Sequence, residues 1–149
     1  MHEEEFTYIE PFVGGGAMLF YMLQNFMNIK QVVINDINRN LTEAYRVIKQ
    51  EPEGLVYRLK HFEQQYLPFE DYEEQRTFYL EMRRRFNEEA LNSLDKTATL
   101  IFLNRTCFNG LYRENAKGKF NVPFGRYASP TICNEEVIYA DSKLLNRCD

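Results

Sequence analysis

Apolar and polar positions alternate differently in different parts of the chain, and the changes of period mark its elements. Phe6-Thr7-Tyr8-Ile9 is β-branched and aromatic, and Pro11 with Gly14-Gly15-Gly16 punctuates its end, which predicts a short strand running into a turn. Ala17 to Phe26 carries Ala, Met, Leu, Phe and Gln without a breaker, a helix by propensity whose first turn sits against the glycines. Gln31 to Ile34 predicts a second strand, closed by Asn35-Asp36. Asn38 is placed to cap a helix in which Leu41, Ala44, Tyr45 and Ile48 share one face before Pro52 stops the pattern. From Glu53 the period stays helical: Leu55, Leu59 and Phe62 mark one segment, Tyr72, Tyr79, Met82 and Phe86 a longer one, and Ala98, Ile101, Phe102 and Arg105 a third. Leu111 to Glu114 and Lys119 to Val122 then alternate around Asn115-Ala116-Lys117-Gly118, which predicts a β-hairpin with Gly118 at positive φ. Asn134 followed by Glu135 and Glu136 starts a last helix that reaches Leu145.

Charge adds a feature that the period does not show. The 149 residues carry 18 Lys plus Arg against 22 Asp plus Glu, a net charge of -4. Residues 1–103 hold 11 basic and 17 acidic side chains, whereas residues 104–126 hold five basic ones (Arg105, Arg113, Lys117, Lys119, Arg126) and one acid, Glu114. Residues 127–149 are acidic again. A local excess of that size suits a phosphate backbone; a solvated loop is the alternative. Arg83-Arg84-Arg85 spreads round most of a helix circumference and reads as a solvated face before a DNA contact. Three cysteines without a C-x-x-C pair and only two histidines support neither a disulfide framework nor a metal site. No apolar run is long enough to span a membrane and the start Met1-His2-Glu3-Glu4-Glu5 is acidic, so a cytoplasmic protein is expected.

A strand that enters glycines and then a helix brings bare backbone N–H groups close to a ligand. Gly14-x-Gly16 matches two positions of the dinucleotide pattern, but the third is Leu19, which disfavours a standard NAD site. Asp36 ends the second strand, where an acid accepts hydrogen bonds from the ribose hydroxyls of an adenosine cofactor. A tight turn and a capping acid would look the same, and the residues by themselves leave both readings open.

Three blocks decide more: Tyr8-Ile9-Glu10-Pro11-Phe12-Val13-Gly14-Gly15-Gly16, Asn35-Asp36-Ile37-Asn38, and Phe102-Leu103-Asn104-Arg105-Thr106-Cys107-Phe108-Asn109-Gly110-Leu111-Tyr112-Arg113 continued by Gly118-Lys119-Phe120-Asn121-Val122-Pro123-Phe124-Gly125-Arg126-Tyr127. In this order they resemble the Dam family of DNA adenine-N6 methyltransferases, the D12 class, over essentially the whole chain. The resemblance implies methyl transfer from S-adenosylmethionine to the exocyclic amine of adenine in double-stranded DNA, typically within GATC. It further implies an α/β fold in which a partial Rossmann-like methyltransferase sheet, here its first two strands, precedes a mainly helical target-recognition domain with a β-hairpin. Residues 1–52 would be the partial cofactor-binding domain and residues 53–149 the recognition domain. Glu10, Phe12, Gly14 and Gly16 match the cofactor loop and Asp36 the ribose acid. Arg113 and Arg126 match positions that read bases, for which an arginine fork on guanine O6 and N7 is the physical reason. Leu111 and Pro123 match apolar neighbours of a thymine methyl group, and Phe108 an aromatic that wedges into the stack where the target base leaves. Arg105, Lys117 and Lys119 would hold phosphates. Asn121 and Tyr127 read as structural residues of a hairpin and its ends.

The sequence also departs from the family. The catalytic Asp-Pro-Pro-Tyr is absent, since Pro11, Pro52, Pro68, Pro123 and Pro130 are never adjacent, and there is no Trp for the W-x-G-G-K segment. A chain cut at both ends is therefore expected, inactive alone, whose incomplete sheet self-associates or pairs with a complementing chain. Methyl transfer from a sulfonium requires no metal. A non-catalytic DNA-binding module is the competing expectation, and an unrelated nucleotide-binding enzyme a weaker one.

Overall fold

The computed structural model describes residues 4–149, so the first three residues of the acidic start lie outside it. The chain divides into two compact units, residues 1–52 with 135–149, and residues 53–134.

In the first unit β1 (Phe6–Glu10) pairs in parallel with β2 (Ile29–Ile34), Tyr8 opposite Val32 and Ile9 opposite Val33. Between them runs α1 (Ala17–Asn25), which Gly16 initiates at φ +79°, and after β2 comes α2 (Arg39–Gln50), where Asn38 Oδ1 accepts from the Asn40 amide at 3.0 Å. Period two decides which strand side chains are covered. Tyr8, Val32 and Ile34 pack on a core of Val13, Leu19, Leu23 and Tyr45. Their alternates point the other way, leaving Ile9 64% and Val33 44% exposed on the second sheet face.

The last helix, α6 (Glu135–Leu145), completes this core and not that of the second unit. Leu144, Leu145 and Cys148 pack against the Leu19–Leu23–Tyr45 cluster, the Val32 amide donates to the Asp149 carbonyl at 2.7 Å, and Asn146 Nδ2 donates to the Lys49 carbonyl at 2.8 Å. The second compact unit stops at Asn134, and the apolar side of α6 is buried on α1 and α2.

The second unit is built on α3 (Pro52–Tyr66), α4 (Tyr72–Glu88) and α5 (Ser93–Thr106). Leu55, Leu59, Phe62 and Tyr66 of α3 meet Tyr79, Met82 and Phe86 of α4 and Ala98, Phe102 and Leu103 of α5, all buried. Phe102 sits edge-on to Phe62, Tyr66 and Phe78 with ring centroids 5.4–5.9 Å apart, the arrangement that ring quadrupoles favour. Asn92 caps α5 by accepting from the Asp95 amide at 2.8 Å. Arg84 and Arg85 are ion-paired with Glu81, Glu88 and Glu89 on the solvent side of α4, whereas Arg83 turns inward to donate to the Val122 carbonyl at 3.0 Å. No helix among the described residues is long and apolar enough to cross a membrane.

The predicted hairpin is shorter than its sequence pattern. The Gly118 amide closes a turn on the Asn115 carbonyl at 2.9 Å, with Gly118 at φ +72°, and Asn115 N–H bonds the Lys119 carbonyl at 2.8 Å. Glu114 and Phe120 form a single antiparallel bridge, and Asn121 N–H reaches the Arg113 carbonyl at 3.1 Å. Side chains of α4, and not a further strand, bond the backbone groups of Phe120 and the Val122 carbonyl.

Candidate functional site

The first unit joins its two loops by way of one acid. The Gly14 amide donates to Asp36 Oδ2 at 2.9 Å and the Asn38 amide to Asp36 Oδ1 at 2.9 Å, so the carboxylate ties the glycine turn to the start of α2. Each oxygen keeps a further lone pair for an outside donor. From the other side Tyr45 Oη donates to the Gly14 carbonyl at 2.6 Å, and its ring lies so close to Gly16 that an added Cβ there would stand 2.6 Å from the hydroxyl. At Gly14 and Gly15 an added Cβ would meet nothing within 4 Å, so the outer side of the turn is open to a ligand. Glu10 ends β1 beside this turn and accepts from Tyr8 Oη at 2.8 Å, while Phe12 is 83% exposed. Burial, with the carboxylates of Glu10, Asp36 and Asp141 adding to it, pushes the Tyr45 phenol up to about 12. Glu10, Phe12, Gly14, Gly16 and Asp36 are therefore brought to one loop at the ends of β1 and β2. The helical spacing of Tyr45 with Leu41, Ala44 and Ile48 marks it only as a core residue. Its only signal was a hydroxyl on an otherwise apolar helix face.

In the second unit the basic segment folds back on the end of α5. The Phe108 amide donates to the Pro123 carbonyl at 2.9 Å, the Gly125 amide to the Thr106 carbonyl at 2.8 Å, and Cys107 bridges to Phe124. This places Phe108, 49% exposed, and Leu111, 45% exposed, on a turn whose backbone is bonded to exposed Pro123. Asn109 and Gly110 both take positive φ, and Asn104 Nδ2 holds the turn at the Gly110 carbonyl, 2.8 Å away. Arg113 donates from Nε to Asn121 Oδ1 at 2.9 Å, and Arg126, at φ +53°, stacks 4.8 Å above the Tyr72 ring. Neither is paired with Glu114, which accepts from Tyr112 Oη at 2.6 Å. Lys117 lies exposed at the turn tip, where Asn115 Oδ1 accepts from the Lys117 and Lys119 amides at 2.9 and 3.1 Å. The Lys119 ammonium is 3.9 Å from Glu88, and Arg105 is exposed in the last turn of α5.

Four residues anchor this segment: the sequence places Tyr79 on a helix face, Arg83 on a solvated one and Asn121 in the hairpin, and gives no sign of Asn87. Asn87 of α4 takes both backbone groups of Phe120, accepting from its amide at 2.9 Å and donating to its carbonyl at 2.8 Å. Tyr79 Oη and Arg83 both donate to the Val122 carbonyl, at 2.7 and 3.0 Å, and Asn121 itself grips Arg113.

The family model of the D12 class N6 adenine-specific DNA methyltransferases matches residues 1–149. The chain belongs to that class. Its similarity to the Type II methyltransferase M.MjaIII of Methanocaldococcus jannaschii is 45% identity over 140 residues, covering 93% of this chain and 48% of that protein. With the Type II methyltransferase M1.LlaDCHI of Lactococcus lactis subsp. cremoris it is 34% over 149 residues, 98% of this chain and 48% of the relative. With the DNA adenine methylase of Vibrio cholerae it is 32% over 137 residues, 91% and 44%. This D12 chain thus spans about half the length of the curated relatives it matches. The mixed α/β architecture with a parallel two-stranded sheet is consistent with a methyltransferase domain.

Proposed function

We propose that this chain carries the cofactor turn and the base-reading segment of a site-specific DNA adenine-N6 methyltransferase acting on double-stranded DNA, with GATC as its sequence. The observation that carries the reading is the basic segment of the second unit. It holds Phe108, Leu111 and Pro123 exposed among Arg113, Arg126, Lys117 and Lys119, and the two arginines have no carboxylate partner among the described residues. Exposed apolar side chains among cations are costly in water and suited to a groove that offers base edges, a methyl group and phosphates together. Residues 53–134 form the recognition unit in this reading, and residues 1–52 with 135–149 the cofactor unit.

S-adenosylmethionine, when bound, supplies a methyl group already activated on a sulfonium. Asp36 would accept from its ribose, Gly14 would give its chain close backbone approach while Gly16 seats the turn on Tyr45, and Glu10 and Phe12 would flank it. Because Asp-Pro-Pro-Tyr is absent from these 149 residues, they are expected not to methylate DNA by themselves. That same absence favours a second reading, a DNA-binding module without cofactor.

Fluorescence-anisotropy titration of a GATC duplex against a GTAC duplex at two salt concentrations tests the first statement. A GATC preference that persists at the higher salt supports base reading, and equal, salt-erased binding overturns it. Calorimetric titration with S-adenosylmethionine separates the two readings. Measurable binding that weakens about 10- to 150-fold in Asp36→Ala, the range for losing hydrogen bonds to a charged group, supports the cofactor site. No binding by the unaltered chain supports the module.

A further inference from the structure

Asn121, a structural residue by its sequence context, lies between two residues that α4 holds fast. Phe120 is buried and has both backbone groups bonded to Asn87; Val122 is buried and its carbonyl accepts from Tyr79 and Arg83. With the residues on either side facing the core, Asn121 is turned to the half-exposed surface with a backbone that has little freedom to move. There it meets Arg113 twice: Nε donates to Asn121 Oδ1 at 2.9 Å and Nη2 to the Asn121 carbonyl at 3.2 Å. A guanidinium has five N–H donors in one rigid plane. Those two bonds occupy the Nε–Nη2 edge, which leaves the Nη1–Nη2 end as the free fork, and Arg113 is exposed, so that end is accessible.

We infer that Asn121 is a positioning residue for sequence readout: it fixes which edge of Arg113 is presented to DNA, and that edge has the two-donor geometry that guanine O6 and N7 accept. The inference rests on Arg113 being a base reader. An arginine free in solution samples many rotamers and engages phosphate as readily as a base edge, so holding its inner edge shifts the side chain from a mobile charge to an oriented fork. The backbone carbonyl of Asn121 supplies one of the two bonds whatever the side chain, so removing Oδ1 weakens the orientation without releasing the arginine altogether.

The test uses the full 149-residue chain and two labelled duplexes, GATC and the same sequence with 7-deazaguanine in place of each guanine, which removes only N7. The unaltered chain should bind the guanine duplex more tightly, within the roughly 5- to 150-fold that a bidentate contact contributes. In Asn121→Ala that ratio should fall several-fold while affinity for the deaza duplex at low salt stays near the unaltered value. Asn121→Asp keeps an acceptor facing Nε, so it should restore the ratio while lowering affinity for both duplexes alike through its added negative charge. In an Arg113→Ala background Asn121→Ala should change the ratio no further. A purely structural role for Asn121 would leave the ratio intact. The inference is overturned if Asn121→Ala, folded by circular dichroism, keeps the full ratio, or if Asn121→Asp loses it as Asn121→Ala does. If the unaltered chain does not distinguish the duplexes, the base-reading role of Arg113 fails, and this inference with it.

Discussion

Replacing Tyr45 with phenylalanine removes one oxygen atom and isolates the bond that holds the glycine turn from behind. The ring keeps its place, because its contact with Phe20, 6.2 Å between centroids, does not involve the hydroxyl. What is lost is the 2.6 Å donation to the Gly14 carbonyl. Gly14 is only half-buried, so water can reach the freed carbonyl and the loss lies within the net worth of a hydrogen bond, about 1 kcal/mol. In a chain of this size that lowers the melting temperature by about 2–4 °C. If the loosened turn must be re-ordered by the cofactor, the same energy weakens S-adenosylmethionine binding about fivefold. The pH dependence is also determined. Because the folded-state phenol is pushed above its ordinary value, up to about 12, its contribution is fully present below pH 10 and is lost as pH rises through about 12. The difference in melting temperature between the two proteins should therefore be constant from pH 6 to pH 9, measured by scanning fluorimetry, with the exposed Tyr21→Phe as a control that changes nothing. An unchanged melting temperature in Tyr45→Phe, or a difference that vanishes by pH 9, would refute the reasoning.

Gly125→Ala should destabilise the second unit by about 1–3 kcal/mol, since its Cβ would stand 2.5 Å from the Cys107 carbonyl oxygen and backbone would have to move; urea titration measures this, and a cost below 0.5 kcal/mol would contradict the geometry. Tyr66→Phe should be neutral or stabilising, because the Tyr66 hydroxyl is buried with no hydrogen-bond partner among the described residues and its removal takes away a desolvation penalty. A melting temperature several degrees lower would show a partner in solution. Among the cysteines, Cys107 should react with a thiol reagent at pH 8 far more slowly than Cys133 and Cys148, because it is buried and burial pushes its thiol up; equal rates of all three would contradict this.

Where helical period or a single turn residue dictates structure, the sequence was readable. Asn38 does cap α2, Gly118 does take positive φ, and Leu55, Leu59, Tyr79, Met82, Phe86 and Phe102 are buried as their spacing predicts. The extent of the hairpin was not readable, since alternation at Phe120 and Val122 looks the same whether a strand or helix side chains complete the backbone bonding. Here Asn87, Tyr79 and Arg83 do so, and nothing in their own spacing announces it. The core that α6 joins was equally hidden. An apolar face states that a helix is buried, not where. For the glycine turn, the acid and the glycines are evident in the sequence, whereas the spacing of Tyr45 announces only a core ring and not the loop anchor that it also is.

The arrival of α6 in the first unit from beyond residue 134 also sets an order of assembly. A nascent chain leaving the ribosome exposes β1, α1, β2 and α2 first, but the cover that α6 gives to the Leu19–Leu23 core is synthesised only after the whole of residues 53–134. The contiguous stretch 53–134 can close on itself while the first core is still waiting. Bridging that intervening length costs little at equilibrium, because closure entropy grows only with the logarithm of the loop, yet it makes the first unit the slower of the two to mature. During that interval it is the glycine turn and its sheet, not the basic segment, that a chaperone would encounter unfinished.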